Sequence, residues 1–253
     1  MHIYKRVWVF LLLSVILVSY NSYGQTESGS KKSSILINNG RPDIPGELGF
    51  DLGLVVAPDF PDSMKLKLIH CIYFSPFYKF ETFIPNTNFS VVTGLSLGLE
   101  KYRFKDPVTL TRYRDDKGNY SNQLVSLDTV LYNAAIKGSK LAVNYIEIPI
   151  EIRYRTNKTY PKNSFFVSVG GKIGYMFNSH TKYKYKQESQ IKTSKFRSKF
   201  DLNSIRYGFM GRVGFGNFNV FYYQSLNTLF QKDKGPAGNT SQPMLVGLSL
   251  TLF

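Results

Sequence analysis

The sequence is poor in the residues that build disulfides, thiolate metal sites and histidine-based active sites. Cys71 is the only cysteine in 253 residues, which excludes an intrachain disulfide and a cysteine-based metal site. Beyond the first 24 residues the only histidines are His70 and His180, which belong to different segments. His180 has no acidic neighbour in sequence, so a solvated histidine is a simpler interpretation than a catalytic base. We therefore expect no catalytic residue, no cofactor and no metal site.

Acidic residues are also scarce. Asp and Glu total 17 against 32 Lys and Arg, which gives a formal net charge of +15. A surface with this excess attracts anions, and nucleic acid, anionic lipid and acidic proteins all remain compatible with it.

Long apolar runs are absent after the N-terminus. Lys5 and Arg6 precede the apolar run Val7–Val18, and the small residues Ser22 and Gly24 follow it. This order predicts a secretory signal over 1–24. A retained membrane anchor is the alternative, but the run is shorter than the ~20 apolar residues of a spanning helix. Export makes nucleic acid an improbable partner.

Polar residues with turn signals follow, and they predict a flexible periplasmic leader over 25–46. The remainder, 47–253, is rich in Tyr, Phe and Gly and alternates between apolar and polar residues, which is typical of β-strands. The clearest case is NYIEIPIEIRYR, from Asn144 to Arg155. Eight segments of this kind are predicted, and their bounds are Glu47–Ala57, Ile69–Phe80, Phe89–Phe104, Leu141–Arg155, Ser164–Asn178, Leu202–Gly216, Asn217–Phe230 and Pro243–Phe253.

Long and short connections alternate between these segments. The rhythm predicts an all-β fold: an eight-stranded antiparallel up-and-down transmembrane β-barrel with long extracellular loops and short periplasmic turns. A soluble sandwich has no reason to keep its long loops at one end. An even strand number places both termini on the periplasmic side of a bacterial outer membrane.

The two faces of each strand predict which side meets lipid. Bulky apolar rows such as Leu95, Leu97 and Leu99 lie opposite small and charged residues. The narrow interior of an eight-stranded barrel accommodates small and paired charged side chains better than rows of Phe, Tyr and Leu. The apolar rows are therefore expected to face hydrocarbon. The segment Ile69–Phe80 is apolar on both faces, and its facing and that of Asn217–Phe230 stay undecided.

The charged residues opposite the apolar rows form a predicted lumen ion network. Its members are Glu100, Glu147, Glu151, Arg153, Lys172, Arg206 and Arg212. One interpretation is an ion path or gate. The other is a structural plug, because buried charges must be paired and hydrogen-bonded, and a barrel this narrow favours it.

The third outside loop is basic. Its cations are Lys182, Lys184, Lys186, Lys192, Lys195, Arg197 and Lys199, against Glu188 alone. The alternation in TKYKYK predicts that the fifth strand continues beyond the membrane with a lysine face and a tyrosine face. The cations are candidates for contact with anionic lipid, including lipopolysaccharide, or with acidic glycans. An ordinary solvated loop is the simpler alternative.

The signal ending near Gln25, the strand NYIEIPIEIRY, the segment SVGGKIGYMF and the terminal GLSLTLF resemble the PorT-like outer-membrane β-barrel family of Bacteroidetes. The resemblance covers most of the chain after the signal. It implies an eight-stranded barrel in the outer membrane, and for some members an accessory role in type IX secretion.

Together these observations predict an integral outer-membrane barrel that is not an enzyme. Its expected role is structural or interactive, as an accessory subunit of a secretion or surface-assembly complex with other envelope proteins as partners. A narrow channel for ions or small solutes is the first alternative. A surface enzyme acting on lipid A or protein is the second.

Overall fold

The computed structural model describes residues 46–58, 60, 64–114, 120–131, 134–157, 159–160, 163–232, 234–236 and 240–252. The predicted signal at 1–24 lies outside the described residues, as does the predicted leader up to residue 45. No helix within the described ranges is long and apolar enough to cross a membrane.

Strands make up most of the described chain. In order they are β1 (Glu47–Val56), β2 (Ile72–Phe83), β3 (Phe89–Arg103), β4 (Val108–Arg114), β5 (Tyr120–Ser126), β6 (Ala135–Arg155), β7 (Phe165–Gln187), β8 (Gln190–Arg197), β9 (Ile205–Phe215), β10 (Phe218–Ser225) and β11 (Met244–Thr251). Within the described residues, a 3₁₀ turn lies at Leu68–His70 and a short helix, α1, at Leu127–Val130.

Eight of the strands close into a barrel. Antiparallel pairing runs β1, β2, β3, β6, β7, β9, β10, β11 and returns from β11 to β1. The β6–β7 pairing is the longest seam, and it continues from Arg155 opposite Phe166 to Ala135 opposite Lys186. Closure leaves no unpaired edge in the wall, as a membrane-spanning sheet requires. The predicted eight-stranded up-and-down barrel is confirmed.

The two ends of the barrel differ in their connections. At one end, here the turn end, the links are short: 84–88, 156–164 and the two-residue turn Gly216–Asn217. Gly216 has φ +57°, a conformation that a tight hairpin turn needs and glycine adopts without strain. At the other end, the loop end, the connections are long, and they carry the β4–β5 hairpin, α1 and β8.

The strands at the loop end extend further than predicted. β7 continues nine residues past the predicted end at Asn178, and β6 begins at Ala135 instead of Leu141. The predicted continuation of β7 beyond the wall is therefore present, and β8 folds back on it. The hairpins β4–β5 and β7–β8 were not predicted as strand pairs, because they lie within the long connections that were expected to be loops.

The outer face of the wall is apolar on all eight strands. On β6 the exposed row contains Ile146, Ile148, Ile150 and Ile152, of which Ile150 is 55% exposed. The structure also settles the two undecided strands. On β2, Ile72, Phe74 and Phe80 point outward, and on β10, Phe218, Val220 and Tyr222 do.

The lumen is filled, but by more aromatic residues than the sequence indicated. Tyr73, Phe77 and Tyr145 are buried inside the wall, beside small and charged residues. Towards the loop end these continue into a buried apolar cluster, here the loop core, which covers that end of the lumen. Its members from the connections and strand ends include Met64, Tyr102, Phe104, Leu110, Leu141, Phe200, Leu202, Leu229 and Phe230.

Candidate functional sites: lumen charges and a basic outer face

Nearest the loop core, an upper layer of charges lies across the lumen. Lys172 donates to Glu147 at 3.0 Å and to the Tyr73 hydroxyl at 3.1 Å, and that hydroxyl donates to Glu147 at 3.1 Å. Arg206 joins two carboxylates, donating to both Glu100 and Glu147. All four charged side chains are at most 5% exposed. Two carboxylates therefore balance two cations in this layer.

A middle layer repeats this balance with Asp51, Glu151, Lys79 and Arg212. Arg212 grips Asp51 with two parallel hydrogen bonds of 2.9 and 2.7 Å, the geometry that makes arginine–carboxylate pairs strong. It also donates to Glu151 at 3.2 Å, and Lys79 reaches the same carboxylate at 3.4 Å. Ser168 donates to the other oxygen of Glu151 at 2.6 Å. The acceptors of Glu151 are thus satisfied from three strands.

A turn layer closes the opposite end of the lumen. Arg153 donates to Glu47 and to Glu81, each at 2.9 Å. Arg155 donates to Glu81 at 2.6 and 2.9 Å and to Glu47 at 3.1 Å. Phe166 packs beneath both guanidinium groups, 4.7 and 5.0 Å from their centres, a cation–π arrangement. Here too two carboxylates face two cations.

Aromatic rings fill the space that the ion pairs leave. The guanidinium of Arg206 lies 4.1 Å from the centre of the Tyr145 ring, and the ammonium of Lys172 lies 4.4 Å from that of Tyr223. Small residues make room for the carboxylates. A Cβ at Gly98 would lie 2.7 Å from the carboxyl carbon of Glu147. The lumen is packed like a protein interior and not like a pore.

The structure brings all seven residues of the predicted lumen network into these layers, each buried. Sequence reasoning missed five of their partners, namely Glu47, Asp51, Lys79, Glu81 and Arg155. Glu47 and Asp51 alternate with glycines on one face of β1, and this pattern could have identified them as lumen residues. Lys79 and Glu81 lie on β2, which is apolar on both faces, so its sequence did not indicate which face points into the lumen.

Outside the wall the loop end carries a second group of charges. Arg103 pairs directly with Lys140, Lys140 with Lys182, and Lys182 with Lys195, across β3, β6, β7 and β8. Directly paired residues share one face with Cβ atoms about 5 Å apart, where like charges repel. The neighbouring row on the same face adds Lys101, which makes five cations on adjacent strands.

The neighbouring row is completed on β7 and β8. Lys101 pairs with Ala142, Ala142 with His180, and His180 with Arg197. The basic face is defined here as the seven titratable residues of the two rows, which are Lys101, Arg103, Lys140, His180, Lys182, Lys195 and Arg197.

The basic face looks outward, to the same side as the lipid-facing rows. Tyr102, between two of its cations, is buried towards the loop core. Thr181, between His180 and Lys182, is 1% exposed and donates to the Leu110 carbonyl on the inner side. Alternation along each strand therefore directs its cations away from the barrel axis.

Mutual repulsion is visible in the ionisation of two of these groups, which lie beyond the ~9–11 residues that a strand needs to cross the membrane. Burial and the cations Lys195, Lys140 and Arg197 lower the pKa of His180 to about 4. Burial lowers the pKa of Lys140, and so do Lys101 and Lys182 beside it. The groups that act most strongly on either one include no carboxylate.

The predicted basic loop is divided by the structure. Lys182, Lys184 and Lys186 share the outward face of β7, and Lys195 and Arg197 lie on that face of β8. Lys192 pairs with Tyr185 and therefore lies on the opposite face. Lys199 follows the end of β8 and is exposed. Sequence reasoning missed the contributions of β3 and β6, since only register brings them alongside β7.

The comparison with protein families decides the class of this barrel. Residues 71–231 match the family described as outer membrane protein beta-barrel domain. The chain belongs to this family. It is therefore an outer-membrane barrel, and the exposed apolar rows of its wall face lipid.

More specific comparisons are few for this outer-membrane barrel. No curated protein matches the chain. Among solved structures, it is similar to Ail, the attachment invasion locus protein of Yersinia pestis, crystallised in complex with the heparin analogue sucrose octasulfate. The identity is 15%, the TM-score 0.33, and the alignment covers 83% of this chain and 100% of Ail. A likeness this distant says nothing about the ligands of this chain.

Proposed function

We propose that this outer-membrane barrel is a closed, non-conducting anchor with a structural and interaction role at the cell surface. Its loop end lies outside, and both ends of the barrel sequence lie in the periplasm. The long connections and their hairpins then form the surface that meets other molecules.

The observation that carries this proposal is the charge-balanced filling of the lumen. In each layer two carboxylates hydrogen-bond two cations, and above the upper layer the loop core adds packed apolar side chains. Ions crossing this lumen would have to displace these pairs in succession. Breaking one buried pair costs about 3–5 kcal/mol, so a conducting path through three layers is opposed at each step.

Planar-bilayer recording tests closure. We expect no steady single-channel steps from the reconstituted barrel. The variant Arg212→Ala with Asp51→Ala removes the central clamp of the middle layer and opens space there, so brief conductance events are expected from it if the other layers rearrange. Steady steps from the unsubstituted protein that disappear on Arg206→Gln or Arg212→Gln would establish the channel alternative instead.

The enzyme alternative has little support around His180, the candidate base of the third outside loop. His180 is surrounded by the cations Lys195, Lys140 and Arg197, whereas a general base needs a neighbour that stabilises its protonated form. Unaltered lipid A and protein-cleavage profiles on His180→Ala are the expected result. A changed profile would restore the enzyme alternative.

The resemblance to PorT-like barrels supports a narrower role, as an accessory subunit of a type IX-like secretion or surface-assembly complex. The closed lumen fits this role, since such a subunit needs an anchored surface and not a conduit. Gentle detergent extraction followed by identification of co-purifying envelope proteins tests it, with a variant lacking the β4–β5 hairpin as the comparison.

A further inference from the structure

The basic face is arranged in a way that costs stability unless an anion lies against it. Three successive cross-strand pairs place cation beside cation, from Arg103 to Lys195. Among the described ion pairs, none involves a member of the basic face, whereas every charged residue of the lumen layers has one. Sheets ordinarily place opposite charges or neutral residues in such positions.

The height of the basic face relative to the apolar band can be counted along the strands. An outward apolar row runs across the same part of the wall, with Leu97 opposite Ile146, Ile146 opposite Tyr175, and Tyr175 opposite Ile205. On β3 the lower row of the basic face begins four residues beyond Leu97, and the upper row six residues beyond. At ~3.3 Å per residue and a strand tilt near 40°, these rows lie roughly 10 and 15 Å above the apolar row.

The outward row of β3 runs from Phe89 to Leu99, about 25 Å by the same conversion, which matches the apolar band of a membrane barrel. The two rows of the basic face therefore begin about 5 and 10 Å beyond the end of this band, in the zone of lipid headgroups. The long side chains of lysine and arginine reach further still while keeping their stems against apolar surface. Direction matters as much as height. The cations point sideways, into the zone beside the wall, so the molecules they meet first are neighbouring lipids.

We propose that the basic face binds the phosphate groups of phosphorylated lipids in the leaflet at the loop end. The arrangement fits a headgroup bearing two phosphates better than one, because the two rows are separated by about 7 Å along the strands. Phosphate oxygens that lie between the cations on this face replace cation–cation repulsion by charge-assisted hydrogen bonds. The proposal rests on the proposed function only in taking the loop end as the outer one.

A soluble polyanion is the competing occupant. It would approach from water and meet exposed cations at the tip of the β7–β8 hairpin, such as Lys184 and Lys186, before reaching the sideways-facing rows. The position of Arg103 and Lys140 on the wall-proximal strands favours a lipid.

The test uses the full barrel in phosphatidylcholine vesicles with and without bisphosphorylated lipid A in both leaflets, so that insertion direction does not matter. The variant carries Arg103→Gln, Lys140→Gln, Lys182→Gln and Lys195→Gln. A matched control removes four positive charges elsewhere at the loop end, through Lys192→Gln, Lys199→Gln, Lys232→Gln and Lys234→Gln. Native mass spectrometry measures retained lipid A, and thermal melting in each vesicle measures stability.

We expect the unsubstituted protein and the control to retain lipid A, and the variant to retain at least tenfold less. In phosphatidylcholine alone the variant should melt at the same or a higher temperature, because repulsion has been removed, which shows that it folds. Added lipid A should raise the melting temperature of the unsubstituted protein and not that of the variant.

Three results would overturn the proposal. Equal lipid A retention by variant and unsubstituted protein would show that the basic face is not the site. Displacement of lipid A by millimolar inorganic phosphate would indicate a free-ion site. Stronger binding of soluble heparin than of lipid A, lost in the same variant, would assign the face to a polysaccharide. Because none of these readouts is conductance, failure here leaves the closed-lumen proposal standing.

Discussion

The lumen and the basic face use the same cations in opposite ways. Inside, Arg212 meets Asp51 in a two-bond clamp, and its third donor reaches Glu151. Outside, Lys182 has Lys140 on one side and Lys195 on the other. A charge withdrawn from solvent needs its counter-charge built into the protein, whereas a charge in the headgroup zone can take it from the membrane. The location of the partner distinguishes a structural charge from a binding charge.

The largest loss of stability is expected from removing a lumen carboxylate that two cations share. Glu147→Gln removes the negative charge that the buried Lys172 and Arg206 share and leaves them one acceptor oxygen in place of two, so it should destabilise the barrel by about 3–5 kcal/mol. Urea unfolding in lipid vesicles measures this. The exposed Glu188→Gln is the control and should change stability by no more than about 0.5 kcal/mol. Equal effects from both would mean that the lumen pairs are not structural.

Removing both members of a lumen pair should cost less than removing one. Arg212→Met alone leaves Asp51 buried without the cation of its ion pair and leaves Glu151 paired with Lys79, at a cost of about 3–5 kcal/mol. Adding Asp51→Leu should recover at least about 1 kcal/mol, because no carboxylate then lacks its partner. The same urea titration across the four members of the cycle gives the coupling. Simple additivity would contradict the clamp.

The space around the lumen carboxylates gives a smaller effect. Gly98→Ala places a methyl group against the carboxyl of Glu147 and should cost about 1–3 kcal/mol by overpacking. Gly211→Ala is the matched control on β9, where the nearest atom to the new Cβ, the Ser168 carbonyl oxygen, lies 3.8 Å away. That variant should be nearly neutral in the same unfolding assay. A neutral Gly98→Ala would show that the lumen tolerates expansion.

The smallest expected change in stability comes from His180 on the basic face, and it depends on pH. The folded protein holds the pKa of His180 at about 4, below the ordinary value of 6.5, so its unfolded state binds a proton that the folded state refuses. Stability from this residue is therefore complete above pH 6.5 and declines as the pH falls towards 4. In neutral lipid the melting temperature should fall between pH 7 and 5 more for the unsubstituted protein than for His180→Asn. A histidine NMR titration in lipid A should show a higher pKa.

The wall was predictable because its environment acts on every second residue. Every second residue from Ile146 to Tyr154 faces hydrocarbon, so the period of two appears without interruption. The same period predicted that Glu147, Glu151 and Arg153 point inward. β2 was not predictable in this way, because Tyr73 and Phe77 face the lumen and Phe74 faces lipid. An aromatic residue suits either environment there, so alternation lost its contrast.

Tertiary structure corrected the view of the lumen as a space for small and charged residues alone. Rings such as Tyr145 and Phe166 lie beneath guanidinium groups, where their faces stabilise the cation. The sequence contains both partners, but on different strands, so the stacking depends on closure of the barrel.

By itself the sequence determined the barrel, its strand number, the lipid-facing rows and most of the buried charges, because each follows from alternation along a single strand. Only the tertiary structure decided which carboxylate meets which cation and which cations meet one another. Those pairings depend on the register between strands distant in the chain. Through β6, Arg103 is aligned with Lys182 and Lys101 with His180, and no pattern within any one segment records that alignment.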